Sequence, residues 1–310
     1  MSDLRGTLAV PDRGWFDFLS GESHLEEVNF WKPSSRRGVR APPFTPFVFK
    51  LRSPANAICG FGYFARYSRL PAWMAWETFG RANGCASFRE MQERISRIRD
   101  RIRYHEEAGP DQIGCVLIAQ PVFFPEDMWV PQPSDWPIRT QTEKSYSLVE
   151  GEGARVWQAC LATANQLKAS AAVAEPTPRY GDPILVRPRI GQGIFRVAVT
   201  EVYSGACAVT GEHSLPALEA AHIRPFGEGG PHDISNGLLM RADLHRLFDR
   251  GYLTVTPDAR IEVSGRLKAD FHNGKSYYPL HGHELRLPKS QADRPAPEHL
   301  RWHNENVFVA

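Results

Sequence analysis

The sequence predicts an α+β protein of two domains, and three observations support this fold class. Strand-like and helical segments both occur in the first half, a proline-rich stretch follows at 175–183, and a strand–loop–strand–helix pattern lies in the second half. The chain has 310 residues, of which 42% are hydrophobic and 23% charged, as in globular rather than disordered proteins. Either half is long enough to bury a core of its own.

Charge restricts the partners that the whole molecule can attract. The 37 Lys and Arg residues stand against 35 Asp and Glu residues, which leaves a formal net charge of +2. A histone-like protein held to DNA by a strong positive field is therefore excluded, because the overall field is weak. Any contact with nucleic acid has to come from local patches of charge.

Cysteine usage and apolar runs predict a cytoplasmic protein with no membrane association. The first residues lack the apolar core of a secretory signal. The longest apolar run, 113–124, is interrupted by Gln120 and Pro121 and is too short to span a bilayer. The five cysteines are scattered without a Cys-x-x-Cys pair, which is typical of reduced thiols.

Three strands and one helix are predicted in the first half. Apolar patterns favour strands over 47–51, 57–65 and 113–119, with a bend at the glycines of the second strand. Ser87 and Glu90 form a capping-box pattern, and an apolar stripe with helical spacing follows them. Short strands with one amphipathic helix are typical of a small β-barrel with flanking helices.

Domain boundaries follow from a change of composition near the middle of the chain. An alanine-rich segment predicts a helix as far as Ala174, and the prolines of 175–183 cannot continue it. We therefore predict a first domain over 1–165, a linker over 166–188 and a second domain over 189–310.

A strand–loop–strand–helix unit is predicted in the second domain. Residues 218–223 predict a short strand, which is followed by a loop rich in glycine and proline. A second strand is predicted over 237–240, and then a helix over 241–249 that ends at Gly251. A unit of this size can bring side chains from its successive elements together around one ion.

His222, Asn236 and His245 lie on successive elements of that unit. They lie within the sequences Leu-Glu-Ala-Ala-His-Ile-Arg-Pro, Asn-Gly-Leu-Leu and Asp-Leu-His-Arg-Leu-Phe-Asp. With these flanks, the segment resembles the HNH endonuclease family, whose fold is the ββα-metal motif, and within it the modification-dependent restriction type. The resemblance covers 192–257, about a fifth of the chain.

The resemblance implies a role for each of the three residues. Hydrolysis of a phosphodiester needs an activated water and stabilisation of the charge that develops on the phosphate. His222 would be the general base, because an imidazole accepts a proton near neutral pH. Asn236 would orient the loop that carries the base. His245 would bind a divalent ion, Mg²⁺ or Mn²⁺, at the scissile phosphate.

A second protein ligand for the ion is less obvious, because Ala221 stands where many family members have Asp or His. Strand alternation points Glu219 to the face opposite the general base. Asp243 lies about 200° around the helix from His245, whereas Asp249 is four residues on and shares its face. The nuclease colicins are similar in using a helical pair four residues apart, which favours His245 with Asp249. The alternative for Asp249 is a bond to a nearby arginine.

The first domain resembles the PUA superfamily in its Phe30-Trp-Lys-Pro segment and in its strands at 47–51 and 113–117. That superfamily includes readers of modified bases of the SRA, EVE and YTH kinds. The resemblance implies a base flipped into an aromatic pocket and read by hydrogen bonds to its edge. Three tryptophans are candidate pocket walls and one aspartate a candidate edge reader: Trp31, Trp129, Trp136 and Asp135. The alternative for the tryptophans is packing in the core.

Together these patterns predict a metal-dependent DNA endonuclease that restricts double-stranded DNA carrying modified cytosine, as in phage defence. One alternative is an HNH nuclease without modification specificity, as in homing or general defence. Another is a catalytically inactive DNA-binding module. A double-strand break needs two active sites, which a homodimer would supply. A four-cysteine structural zinc site is excluded, because only Cys207 lies near the motif.

Overall fold

The chain forms two compact units that divide between Ile190 and Gly191. Both helices and strands are present, so the fold is mixed α+β. The predicted linker at 166–188 falls mostly outside the described residues, and its first six residues still belong to a helix. This computed structural model describes residues 4–36, 38–101, 112–137, 142–171 and 190–310.

The first unit contains seven strands and four α-helices among its described residues. They are β1 (Arg5–Ala9), α1 (Arg13–Ser20), β2 (Glu27–Lys32), β3 (Pro46–Lys50), β4 (Ala57–Pro71), α2 (Ala72–Phe79), α3 (Phe88–Arg101), β5 (Gln112–Phe123), β6 (Val130–Pro131), β7 (Glu143–Ser147) and α4 (Gly151–Ala171). The three predicted strands correspond to β3, β4 and β5, and the predicted helix to α3.

All seven strands join in one sheet with the order β2-β5-β4-β3-β1-β7, and β6 pairs with β4. In the described residues no backbone pairing joins β2 to β7, so the expected barrel is not closed by hydrogen bonds. A flat sheet would place these edge strands about 24 Å apart. Instead Lys32 Nζ on β2 lies 2.7 Å from Glu143 Oε2 on β7. The sheet is therefore strongly curved, and these two side chains bridge its edge strands.

Both faces of this sheet are buried, and alternate residues along each strand enter different cores. One face packs Leu8 and Val48 against Trp157 of α4. The other face packs Phe47 against Trp15 of α1. Burial on both faces explains why the strands read as continuous apolar runs rather than as an alternating pattern.

Helix α3 begins where the capping-box pattern predicts. Ser87 Oγ accepts a hydrogen bond from the backbone N–H of Glu90 at 3.2 Å. The Glu90 carboxylate accepts one from the backbone N–H of Ala86 at 2.9 Å, one residue earlier than in the ideal box. Two free amides at the helix start are thus satisfied.

The second unit contains four strands and four α-helices. They are α5 (Gln192–Val202), β8 (Leu218–His222), β9 (Gly237–Arg241), α6 (Ala242–Asp249), β10 (Leu253–Val255), β11 (Ile261–Val263), α7 (Arg266–Phe271) and α8 (Pro297–Asn306). The predicted strand–loop–strand–helix unit corresponds to β8, β9 and α6.

β8 and β9 pair antiparallel, with Leu218 opposite Arg241 and His222 opposite Gly237. Helix α6 starts at the residue after β9, so nothing separates the strand from the helix. Apolar residues of these elements and of α5 share one buried core, which includes Phe195, Val199, Leu238, Leu244 and Phe248. This packing fixes the helix against the strand pair.

All five cysteines are buried free thiols. In the described part of the chain, no helix combines the length and the apolar character needed to cross a bilayer.

Candidate active site

His222 is the last residue of β8, and its ring is held on two sides. It stacks on Phe195 of α5, with the ring centroids 3.9 Å apart and an interplanar angle of 11°. Its Nε2 lies 2.9 Å from Nδ1 of His232, in the loop between β8 and β9. Burial, followed by the nearby charges of His232 and His245, lowers the pKa of His222 from 6.5 to about 4. The ring is therefore neutral at physiological pH and has a lone pair for a proton.

The Asn236 side chain hydrogen-bonds to the backbone of the loop that follows His222. It is fully buried and accepts a hydrogen bond from the Arg224 backbone N–H at 2.9 Å. It also donates to the carbonyl oxygens of Arg224 and Pro231, each at 2.9 Å. A Cβ at residue 230 would collide with the Arg224 carbonyl oxygen. The close approach of the two backbone segments at Gly230 and Arg224 therefore requires glycine at position 230. The amide therefore holds the loop in the position where His222 leaves the strand.

His245 lies on α6 between two carboxylates. Its Nδ1 is 2.7 Å from Glu219 Oε2, and its Nε2 is 3.3 Å from Asp249 Oδ2. The imidazole is 22% exposed, whereas the two carboxylates are about half exposed. Asp249 makes no ion pair with an arginine among the described residues. The predicted pair of His245 and Asp249 thus shares one helix face.

Glu219 was expected to point away from the general base, yet it contacts the residue predicted to bind the ion. Glu219 is half exposed, and its Oε2 lies 2.7 Å from His245 Nδ1. Helix α6, which follows β9 directly, brings His245 to this carboxylate. A carboxylate on one ring nitrogen fixes the tautomer and the orientation of a metal-binding histidine. Glu219 is placed to do this for His245.

The chemistry of these groups fits a hard divalent cation. Burial raises the pKa of Asp249, and the charge of Glu219 raises it further, while His245 opposes the shift. Two donors at right angles around Mg²⁺ lie about 3 Å apart, which is close to the separation of His245 Nε2 and Asp249 Oδ2. No three His, Cys, Asp or Glu side chains in the described residues converge as a complete metal cage. His245 and Asp249 would therefore hold an ion that keeps several waters.

We expect Asp249→Asn to weaken Mn²⁺ binding by at least about tenfold, because it removes a charged oxygen ligand. Isothermal titration of the DNA-free protein with MnCl₂ measures the affinity directly. Asp243→Asn is the matched control, since that carboxylate lies on the same helix but pairs with Arg241 at 2.6 Å. Equal Mn²⁺ affinities in the two variants would contradict the assignment.

We expect cleavage to persist at pH values where an ordinary histidine base would be protonated. A base with a pKa of 6.5 is about 90% protonated at pH 5.5, whereas one near 4 is almost wholly neutral. The acidic limb of the pH–rate profile should therefore lie near pH 4, with activity lost as pH falls through it. Single-turnover rates at saturating Mn²⁺ and DNA, from pH 4 to 8, test this. A limb near pH 6.5 would contradict it.

Two of the four proposed base-recognition residues lie together, beside a buried lysine. Trp136 stacks on Tyr146 at 6.4 Å between centroids, and Asp135 Oδ1 accepts a hydrogen bond from the Tyr146 hydroxyl at 3.0 Å. Lys50 Nζ lies 5.1 Å from the centroid of the Trp136 ring, and Lys144 Nζ lies 2.9 Å from the Tyr146 hydroxyl oxygen. We call these five residues the Trp136 cluster.

The other two tryptophans are engaged elsewhere in the unit. Trp31 donates its indole N–H to the Asn83 carbonyl at 2.9 Å. Trp129 donates to the Phe124 carbonyl at 3.0 Å and packs edge-on against Phe16. Neither makes a ring contact or a hydrogen bond with the Trp136 cluster among the described residues.

Three residues that shape the site were not among the predicted site residues: Phe195, Glu219 and His232. His232 precedes Asn236 in a loop of glycine, proline and polar residues. Its position in that loop was the only sequence feature that could have indicated a place in the site. The stacking of Phe195 on His222 depends on the packing of α5, which sequence spacing does not report. Glu219 was considered and set aside on alternation alone.

The profile of the family described as HNH endonuclease (HNH_2) matches residues 207–256. Residues 207–256 are therefore similar to HNH endonucleases. The match contains β8, the loop, β9, α6 and β10, and therefore His222, Asn236, His245 and Asp249. No curated protein matches the sequence significantly.

Several solved structures are similar at low identity. The ASCH protein from Zymomonas mobilis is 12% identical, over 49% of this chain and 93% of its own, with a TM-score of 0.32. Its Y47F mutant is 11% identical, over 49% of this chain and 96% of its own, with a TM-score of 0.31. The modification-dependent restriction endonuclease TagI is 14% identical, over 97% of this chain and 81% of its own, with a TM-score of 0.30.

Proposed function

We propose that this protein is a metal-dependent endonuclease that cuts double-stranded DNA carrying a modified cytosine. The observation that carries the nuclease assignment is the arrangement around His222 within the HNH motif. A neutral imidazole stands at the end of β8, and the charge of His245 is close enough to depress its pKa. Asn236 holds the intervening loop. The proposed general base and the two candidate metal ligands, His245 and Asp249, thus belong to one strand–helix unit.

The chemistry follows from what each side chain offers. His222 accepts a proton from water, and the resulting hydroxide attacks the phosphorus atom as the bond to the leaving oxygen breaks. A divalent ion on His245 and Asp249, when bound, supplies positive charge against the phosphate. Glu219 keeps the His245 ring in position through Nδ1. Asn236 takes no part in proton transfer and acts through the backbone it holds.

Selection of the modified base is proposed for the first unit, at the Trp136 cluster. Lys50 is only 4% exposed, and among the described residues its amine makes no hydrogen bond or ion pair. Burial, with a smaller contribution from Arg52, lowers the pKa of its amine. An ammonium donor beside an aromatic ring suits the oxygen and nitrogen acceptors on the edge of a flipped cytosine. The closely packed aromatic rings nearby supply a stacking surface.

Cleavage of matched duplexes tests the proposed function. The duplexes should be identical apart from cytosine, 5-methylcytosine, 5-hydroxymethylcytosine or its glucosylated form, each with Mg²⁺ or Mn²⁺. Cutting restricted to a modified duplex supports both parts of the proposal. Equal cutting of all duplexes keeps the nuclease and removes modified-base selection. DNA binding without any cutting favours an inactive binding module, and double-strand breaks rather than nicks favour a homodimer.

We expect Trp136→Leu to weaken binding of the modified duplex by about tenfold and so to reduce its preference over the unmodified duplex, because only a base held in the pocket gains a base–aromatic stack, worth about 1–3 kcal/mol. Trp31→Leu is the matched control, since Trp31 makes no ring contact or hydrogen bond with the Trp136 cluster among the described residues. Fluorescence anisotropy with both duplexes gives the ratio of dissociation constants. If only Trp31→Leu lowers the ratio, the pocket lies at Trp31 instead.

A further inference from the structure

His232 contacts the proposed general base directly. Its Nδ1 lies 2.9 Å from His222 Nε2. Its own ring stacks on Phe226 at 4.6 Å with an interplanar angle of 11°, and it lies 5.9 Å from the ring of Phe195. The loop that carries it is the one that Asn236 ties to the end of β8. His232 is thus held by both stacking and backbone.

The contact between the two rings requires one N–H donor and one acceptor, so only two arrangements are possible for neutral rings. If His232 Nδ1 carries the proton, His222 accepts with Nε2 and is protonated at Nδ1. The base then has no free lone pair. If His222 Nε2 carries the proton, it donates to His232 and leaves its own Nδ1 lone pair available. Within the described residues, the His222 ring makes no second hydrogen bond that would compete for Nδ1.

We propose that His232 is a positioning residue that selects the Nε2-protonated tautomer of His222 and so aims the Nδ1 lone pair at the attacking water. This inference rests on the proposed function and extends it to a residue outside the His–Asn–His set. When water gives its proton to Nδ1, His222 becomes an imidazolium. Its Nε2–H still donates to His232, which accepts the bond through Nδ1 and gains no proton.

Two substitutions separate the hydrogen bond from the ring packing. His232→Phe keeps an aromatic ring against Phe226 and removes the acceptor. His232→Asn loses the ring but keeps a hydrogen-bond acceptor, because Asn Oδ1, like His Nδ1, is two covalent bonds from Cβ. We expect kcat for DNA cleavage to fall by about tenfold or more in His232→Phe, with KM little changed. His232→Asn should restore kcat to within about threefold of the unsubstituted protein.

The tautomer of His222 gives a readout that does not depend on cleavage. In ¹⁵N-histidine-labelled full-length protein, two-bond and three-bond ¹⁵N–¹H correlations distinguish a protonated Nδ1 from a protonated Nε2. The His222 signals are assigned by their loss in His222→Ala. We expect Nε2 to be the protonated nitrogen at pH 7 in the unsubstituted protein and in His232→Asn, and a mixture of tautomers in His232→Phe.

The outcomes separate this inference from the proposed function. If the unsubstituted protein cuts no DNA, the proposed function fails, and the tautomer still reports on His232. If it cuts DNA and His232→Phe cuts equally well with an unchanged tautomer, the role of His232 is overturned. Protonation of His222 at Nδ1 in the unsubstituted protein also overturns it, as does an equal loss of kcat in both variants.

Discussion

His222→Ala is expected to lower the cleavage rate by about 10²–10⁴-fold, which is the usual contribution of a positioned proton acceptor. The substitution removes the imidazole that is proposed to take the proton from the attacking water. Mn²⁺ affinity should stay within a few-fold, because His245 and Asp249 on α6 are unchanged. Single-turnover cleavage of the preferred duplex, with calorimetric Mn²⁺ titration alongside, measures both quantities.

His213→Ala is the matched control for this substitution. His213 is exposed and lies before β8, outside the contacts that surround the base. It should cut at the rate of the unsubstituted protein. A His222→Ala protein that is folded, binds Mn²⁺ and cuts within threefold of the unsubstituted rate would remove His222 from the chemistry.

Asn236→Ala is expected to destabilise the second unit by about 3 kcal/mol. The substitution leaves one N–H and two carbonyl groups without partners, and each such group costs about 1–3 kcal/mol when water reaches it poorly. Asn236→Asp should be at least as damaging, since it turns a carboxylate oxygen toward the carbonyls of Arg224 and Pro231. Native-state hydrogen exchange of the β8 and β9 amides reports the change within this unit alone.

Asn306→Ala serves as the control for that measurement. Its amide is also a hydrogen-bond donor, to the Trp302 carbonyl at 2.8 Å, but it is exposed at the end of α8. Water replaces its partner at little cost, so exchange of the β8 and β9 amides should be unchanged. Comparable exchange in Asn236→Ala and Asn306→Ala would mean that Asn236 does not hold the loop.

Sequence patterns predicted the positions of the strands better than their lengths. The second predicted strand stopped at 65, yet β4 continues to Pro71. Register shifts between Phe61 and Tyr63 and between Phe64 and Arg66 let the strand keep pairing with β5. Such bulges change which face a residue occupies, so the apolar pattern breaks although the strand does not. Curvature that brings β2 to β7 depends on the whole sheet and has no local signal.

The candidate site was predictable where chain order sets the geometry. Asp249 follows His245 by one helical turn, so their shared face could be derived from spacing. His232 and Glu219 reach the site through loop closure and strand–helix packing, which join residues far apart in sequence. Alternation predicted that Glu219 points away from His222, but it could not report that α6 brings His245 to Glu219.

The direct junction of β9 and α6 has a consequence for how such sequences diverge. One residue inserted between Arg241 and Ala242 would turn His245 by about 100° around the helix axis, away from Glu219. Between His222 and Asn236, by contrast, the chain runs through a loop in which residues 225–229 are exposed. Insertions and deletions should therefore accumulate on the His222 side of Asn236. The interval from Asn236 to His245 should keep its length throughout the lineage.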